Sequence, residues 1–226
     1  MNEPVLIPLF GLEVPDVYLT TLGVTLLVGV VSYVTGRSLA AGRLTLWQTA
    51  VEAFLGWIED TVREVVDEDP TPYVPLIASL MVFIAVCDLL AVVPVLRPPT
   101  AELATTVALA LVVFVAVPIY GVRRLGLWGY LKGYARPSPL LIPFNLLGEL
   151  TRTLALAVRL FGNVMSGVTI GAVILALAGL FVPLPLLFLS ILTGLVQAYI
   201  FGILAAVYIA AALQVERRHP APETPQ

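Results

Sequence analysis

Residues 143–179 read PFNLLGELTRTLALAVRLFGNVMSGVTIGAVILALAG. As one helix, these 37 residues would extend roughly 55 Å at 1.5 Å per residue, whereas the hydrocarbon core of a bilayer is about 30 Å thick. The next apolar stretch, residues 184–215, is overlong in the same way, and a short turn over residues 179–185 joins the two. We therefore predict a long, tilted helical hairpin that presents an oblique face to a partner.

Bulk composition indicates a membrane protein. Hydrophobic residues make up 59% of the chain and charged residues only 12%, whereas a soluble domain carries about 25% charged residues. The net charge of -3 gives no reason to expect a nucleic-acid partner. A single cysteine, Cys87, allows no intramolecular disulfide, and a single histidine, His219, argues against a His/Cys metal site. We expect no metal or other cofactor.

Apolar runs long enough to cross a bilayer occur five times. They cover residues 17–35, 74–96, 103–122, 139–181 and 183–215. We predict one all-α membrane domain over residues 1–216 with five transmembrane helices, followed by a polar cytoplasmic tail over residues 217–226. Pro118 is expected to kink or end the third helix. The first sixteen residues carry no Lys or Arg, so the first run is expected to be a retained span rather than a signal peptide.

Residues 44–66 form a different kind of segment. Apolar residues recur there at steps of three and four, and the charged residues lie off that stripe, which predicts an amphipathic helix. The apolar stripe consists of Leu44, Trp47, Val51, Phe54, Leu55, Ile58, Val62 and Val65. Because the segment is too polar to span, we expect it to lie along the membrane surface or on a partner, rather than against this chain's own core.

Basic residues are distributed unevenly between the loops. With the N-terminus outside the membrane, nine Lys and Arg residues fall inside and only Arg97 falls outside. The inside set is Arg37, Arg43, Arg63, Arg123, Arg124, Lys132, Arg136, Arg217 and Arg218. Because cytoplasmic loops carry the excess of basic residues, we predict an outside N-terminus and a cytoplasmic C-terminus.

Arg159 breaks the composition rules of a membrane helix. A buried arginine costs at least ~2.5–3.5 kcal/mol on insertion scales, and no charged side chain occurs between Leu160 and Val215. Because arginine stays protonated, it cannot relay protons, but it can favour the charged form of a neighbouring carboxylate. We expect its counter-charge to come from another chain.

Two polar stripes accompany this arginine. The first consists of Glu149, Arg152, Leu156, Arg159, Asn163, Ser166 and Ile170, at steps of three and four. Small residues that would permit close approach of another helix flank its outer half, namely Gly162, Ser166, Gly167 and Gly171. The second stripe, on the last span, consists of Ser190, Thr193 and Gln197. Alternatively, the residues of either stripe could make hydrogen bonds between helices, although that role does not require the permanent charge of Arg159.

Four segments carry a resemblance to a known family. Residues 154–167, LALAVRLFGNVMSG, are similar to a family segment in which a leucine-rich stretch precedes R-L-F/Y-G-N. Residues 195–210, LVQAYIFGILAAVYIA, are similar to a final helix with a Q-A-[FY]-[IV]-F core. Residues 85–94, AVCDLLAVVP, and 99–102, PTAE, are similar to the end of a second span and the loop after it. In order, spacing and span count, these segments resemble subunit a of the F-type ATP synthases.

The resemblance implies roles for individual residues. Arg159 resembles the family's essential stator arginine, and Gln197 resembles the glutamine that lies near it across the last two helices. Asn163 resembles the polar residue one turn beyond the arginine. Glu149 matches an acidic position at the start of the arginine-bearing helix.

Two positions depart from the family pattern. Val168 stands where many members carry a glutamate, and Ser190 stands where several carry a histidine. We therefore expect the outside access path to use Asp88, at about the depth of Val168, with Glu102 as its mouth or helper. Asp88 could alternatively be a helix-end residue that faces headgroups, and Glu102 could be a helix N-terminal charge favoured by the dipole.

The resemblance implies a non-enzymatic stator subunit in the bacterial inner membrane. Arg159 would face the carboxylates of the c-ring, with an outside half-channel past Asp88, Asn163 and Ser190 and an inside one past Glu149. Proton flow, or alternatively sodium flow, would be coupled to rotation. The implied partners are the c-ring, peripheral stalk subunit b, the remaining ATP synthase subunits and the lipid bilayer.

The residues alone leave two other functions open. A secondary transporter could use Arg159 as the counter-charge of an anionic substrate, although the sequence shows no internal repeat of the kind common in transporters. A membrane scaffold could pair Arg159 with Glu149, although the two lie about 15 Å apart along one straight helix.

Overall fold

The computed structural model describes residues 6–9, 12–40, 46–66, 69–91, 98–134, 140, 142–179 and 183–213. Helices dominate these residues, and a short β-hairpin precedes them. The hairpin pairs β1, Leu6–Leu9, antiparallel with β2, Leu12–Pro15, so that Leu6 lies opposite Pro15 and Leu9 opposite Leu12. The all-α prediction therefore needs one addition. The sequence did not predict these strands. Each has only four residues, too few for a clear alternation of apolar and polar side chains, and each contains a proline, which is disfavoured within sheets.

Six α-helices and one 3-10 turn follow the hairpin in the described chain. They are α1 (Asp16–Ala40), α2 (Leu46–Val65), α3 (Val74–Leu90), the 3-10 turn (Pro99–Ala101), α4 (Leu103–Tyr134), α5 (Ile142–Ala178) and α6 (Pro183–Leu213). Four of the helices, α1, α4, α5 and α6, are long and apolar enough to cross a membrane. Helix α3 has 17 residues and is shorter, and residues 92–96 of the predicted second span lie outside the described residues. The structure thus confirms a predominantly helical protein with four helices that are long and apolar enough to span a membrane.

Helix α4 differs from its prediction in length and in the position of its break. The predicted end at Pro118 is wrong, because helical geometry continues past Pro118 and is interrupted only at Gly126, where φ is 71° and ψ is 163°. Glycine adopts this backbone conformation without the steric penalty of a side chain. Beyond the break the chain folds back, so that the ring of Tyr130 packs on Gly121.

The core lies where α6 packs against its neighbours. Phe201 and Ile209 on α6 and Ile84 on α3 are completely buried. Helix α2 adds Ile58 and Val62 to the same core.

The expectation that α2 does not pack against this chain's own core is therefore wrong for its second half. The ring of Trp57 stacks on Tyr199 of α6 with 5.3 Å between ring centres, and Ile58 and Val62 are fully buried. Among the described members of the apolar stripe, Phe54 and Leu55 stay exposed. A wide apolar stripe does not distinguish a membrane surface from a neighbouring helix, because both accept the same side chains.

Candidate ion-translocation site

Two side-chain contacts give the register of the α5–α6 hairpin. A Cβ placed on Gly167 would lie 2.9 Å from Oγ of Ser190, and the Arg152 guanidinium lies 5.7 Å from the centre of the Tyr208 ring. Because the two helices are antiparallel, these contacts place Arg159 level with residues 198–201. Gln197 on α6 and Asn163 on α5 therefore lie within about one helical turn, or ~5.4 Å along the axis, of the level of Arg159.

Arg159 lies on the exposed side of α5, near the middle of this 37-residue helix. Its neighbours Leu156 and Leu160 are fully buried. Within the part of the chain that the structure describes, the guanidinium has neither a hydrogen bond nor an ion pair. One turn further, nothing lies within 4 Å of a Cβ placed on Gly162. A permanent charge is thus exposed at membrane depth beside a surface that a second helix could approach closely.

Asp88, near the end of α3, is buried against the 3-10 turn and α6, and only 6% of it is exposed. Thr100 donates a hydrogen bond of 2.9 Å to Oδ1. No described residue bonds Oδ2, which would lie 3.2 Å from a Cβ placed on Gly194. This burial contradicts the alternative in which Asp88 faces headgroups.

The same register gives the level of Asp88 along the hairpin. Its contact with Gly194 places it level with residues 163–166, roughly two to five residues from Val168. The predicted depth of Asp88, close to that of Val168, stays a prediction.

Two further buried polar atoms have no hydrogen-bond partner among the described residues. They are Oε2 of Glu102 and Nε2 of Gln197, which join Oδ2 of Asp88. Buried polar atoms in proteins are normally paired with protein or ordered water. All three atoms belong to residues that the sequence assigned to the site. Glu102 also directly precedes α4, which fits its alternative interpretation as a helix N-terminal charge.

The hydroxyl groups of the polar stripes give little support to interhelical hydrogen bonding. Thr193 is exposed and donates to the Leu189 carbonyl oxygen of its own helix at 2.7 Å. Ser166 likewise donates to the Asn163 carbonyl oxygen at 2.9 Å. Ser190 is half-buried against Gly167. The two hydroxyl groups with described bonds thus bond within their own helices rather than across to a neighbour.

An open cavity of about 360 Å³ lies at the opposite end of the hairpin. It is bounded by the start of α5, the end of α6 and the middle of α4, and its polar lining includes Asn145, Glu149, Arg152 and Tyr208. Among the described residues, no ion pair involves Glu149 or Arg159. The scaffold hypothesis therefore lacks the pairing on which it depends.

The structure brings the predicted site residues together in two groups. Asp88, Asn163, Ser190 and Gln197 lie in the half of the hairpin nearer its turn, whereas Glu149 lies in the cavity at its other end. The sequence reasoning missed Thr100 and Gly194, which touch Asp88. Thr100 was within reach, because it belongs to the PTAE segment that carried part of the resemblance.

These features define a multi-pass helical membrane protein with a charged and polar site among its spans. A family model described as ATP synthase A chain matches residues 17–210. The chain belongs to this family and is a membrane-sector subunit of an F-type ATP synthase. The resemblance found in the sequence is thereby confirmed.

Curated relatives agree with the family assignment. The chain is 48% identical over 187 residues to "ATP synthase subunit a 2" of Acaryochloris marina, an alignment that covers 83% of this chain and 80% of the relative. It is 48% identical over 200 residues to "ATP synthase subunit a 1" of Chlorobaculum parvum, with 88% of each chain covered. It is 54% identical over 166 residues to "ATP synthase subunit a" of Nitrosospira multiformis, with 74% of this chain and 66% of the relative covered.

Proposed function

We propose that this chain is the stator ion-channel subunit whose Arg159 couples ion flow to rotation of the c-ring. The observation that carries the proposal is the exposed guanidinium of Arg159 at mid-helix, which has no hydrogen bond or ion pair within the described residues. A charge in this position is costly against lipid. A carboxylate on a neighbouring rotor helix is the partner that would stabilise it.

The permanent charge explains how coupling would work. Coulomb attraction between two unit charges at 4 Å is about 4 kcal/mol at an effective dielectric constant of 20. That energy favours release of the ion from a rotor carboxylate opposite Arg159, yet is small enough to let the carboxylate move on. A charged carboxylate that faces lipid is disfavoured, so each rotor site must bind an ion before it leaves the interface. Arg159, which stays protonated, would thereby prevent a leak.

The two groups of site residues would form two half-channels. The outside path runs past Asp88, Asn163 and Ser190, with Glu102 at its mouth, and the inside path uses the cavity around Glu149. Support comes from their positions along the α5–α6 hairpin, on opposite sides of the level of Arg159.

The proposal includes the membrane topology and the partners. The chain has five spans in a bacterial inner membrane, an outside N-terminus and a cytoplasmic C-terminus, as the distribution of Lys and Arg favours. Its partners are the c-ring, peripheral stalk subunit b and the other ATP synthase subunits. It catalyses no reaction itself, and the ion is the proton or, alternatively, sodium.

Cysteine cross-linking in the whole complex tests which surface meets the rotor. Gly162→Cys, on the exposed side of α5, is compared with Leu26→Cys, on the exposed side of α1. Both are combined with a cysteine on the carboxylate-bearing helix of the rotor subunit, and Cys87 is replaced by Ala. We expect an oxidative cross-link to the rotor for Gly162→Cys only. A rotor cross-link from α1 but not from α5 would refute the assignment of this surface.

A further inference from the structure

We propose that Thr100 is a positioning residue for Asp88, which it holds so that one carboxylate oxygen stays free beside Gly194. The inference rests on the proposed role of Asp88 in the outside half-channel. It assigns to a neutral loop residue the task of orienting the acid past which the ion moves.

The bond from Thr100 differs from the helix-backbone bonds that several serine and threonine hydroxyl groups of the described chain make. The hydroxyl groups of Ser79, Thr106 and Thr193 each donate to a backbone carbonyl oxygen three or four residues away. Thr100 instead donates to a side chain twelve residues away, at 2.9 Å. A hydroxyl has one proton to donate, so this donation is committed to Asp88.

The loop that carries Thr100 is held firmly. Thr100 is completely buried in the 3-10 turn Pro99–Ala101, which directly follows Pro98. Backbone bonds run from Ala101 to the Pro98 carbonyl oxygen at 3.0 Å and from Glu102 to the Pro99 carbonyl oxygen at 3.2 Å. Two consecutive prolines fix their φ angles as well. The hydroxyl therefore has a fixed origin from which to hold Oδ1 of Asp88.

Gly194 determines what the other oxygen meets. Oδ2 of Asp88 would lie 3.2 Å from a Cβ at this position, so only glycine leaves the carboxylate this close to the α6 backbone. Oδ2 has no described hydrogen-bond partner and is level with residues 163–166, about one to two turns from the level of Arg159. With Oδ1 occupied by Thr100, Oδ2 is the oxygen left to exchange an ion or to bind the water that carries it.

The test compares variants of two fully buried threonines in the whole complex. Thr100→Val removes the hydroxyl at constant shape, Thr100→Ser keeps it, and Thr106→Val removes a hydroxyl that bonds only the Leu103 carbonyl oxygen. ATP-driven ion uptake into vesicles is measured, together with the amount of assembled complex. Because Thr100→Val leaves a buried acceptor oxygen of Asp88 without its donor, we expect it to lower uptake about tenfold. Thr100→Ser and Thr106→Val should stay within about twofold of wild type, because neither loses the bond to Asp88.

A double variant separates positioning from general packing. Thr100→Val should have no further effect when Asp88→Asn is already present, because the two residues act as one unit. If Asp88→Asn pumps like wild type, the proposed role of Asp88 is wrong. If Asp88→Asn impairs pumping while Thr100→Val does not, or if the two effects are additive, the positioning inference is wrong. Should Thr100→Val prevent assembly, Thr100→Ala takes its place, and equal uptake by Thr100→Ala and Thr100→Ser overturns the inference.

Discussion

Gly194→Ala tests the contact between α3 and α6 that seats Asp88. The added Cβ would lie 2.8 Å from Cβ and 3.3 Å from Cγ of Asp88. Carbon atoms in contact normally lie about 3.5–4.0 Å apart, so the two helices would have to separate by roughly 1 Å. Because Cβ of Asp88 is bonded to the α3 backbone, no change of rotamer can relieve this contact.

The expected loss of stability in Gly194→Ala is estimated by comparison with the same substitution at a glycine that has open space around it. Overpacking of this kind costs about 1–3 kcal/mol, whereas replacing glycine by alanine within a helix gains up to about 1 kcal/mol. Gly23→Ala on α1 gives the gain alone, because nothing lies within 4 Å of a Cβ there. At about 2–4 °C per kcal/mol for a chain of this length, Gly194→Ala should melt about 2–12 °C below Gly23→Ala.

The assay follows heat-induced loss of this chain from the detergent-solubilised complex, with ATP-driven pumping as a second readout. Gly194→Ala should also pump less than Gly23→Ala, because it displaces Asp88. Equal melting temperatures and equal pumping in the two variants would show that Asp88 does not pack on α6 as described.

Three further predictions concern other parts of the chain. Arg152→Gln removes a cation that lies over an α6 ring and should lower stability by about 0.5–1 kcal/mol, while coupled pumping persists in the vesicle assay. Trp57→Leu removes the stack on Tyr199 and should cost about 0.5–1.5 kcal/mol beyond the lost area, measured as a lower melting temperature of the complex. Hydrogen bonds from the side chain and backbone of Thr71 hold the pKa of Asp69 below its ordinary value of 3.8. The stabilisation is therefore complete above that value and lost as the pH falls through the lowered pKa, so wild type and Asp69→Asn should converge in denaturation measurements below pH 3.8.

The long elements of the fold could be predicted from the sequence because the bilayer constrains them strongly. The arginine-bearing span was expected over residues 139–181, and the helix covers Ile142–Ala178. The amphipathic helix was expected over residues 44–66, and Leu46–Val65 is helical. The hydropathy of a segment and the spacing of its apolar residues show whether a helix is surrounded by lipid or borders water. Both signals are summed over many residues, so they identify long helices well.

Local breaks and contacts between helices were harder to predict. The break in α4 depends on one positive φ at Gly126, whereas Pro118, the stronger sequence signal, is tolerated in the helix. Neighbouring groups can satisfy the backbone that proline frees in a membrane helix. The packing of Trp57 on Tyr199 joins residues far apart in sequence, and the hydropathy of neither residue reveals it.

In the site, too, some residues could be predicted from the sequence and others could not. Arg159 could be found because a permanent charge in an apolar span is costly and therefore conspicuous. Thr100 is neutral and common in loops, and its importance appears only once its hydroxyl is seen to bond Asp88. Gly194 matters because it has no side chain, which leaves room for Asp88. This is visible only when the packing of α3 against α6 is known.

The most direct test of the central claim is ATP-driven ion uptake by vesicles that contain the whole complex, with and without sodium. Arg159→Ala is compared with Arg123→Ala, which removes an exposed arginine of α4 outside the site. We predict that Arg159→Ala abolishes uptake while the complex remains assembled, that Arg123→Ala pumps like wild type, and that the sodium dependence of wild type identifies the ion. Coupled uptake that survives without Arg159 would contradict the claim that this arginine is the stator charge.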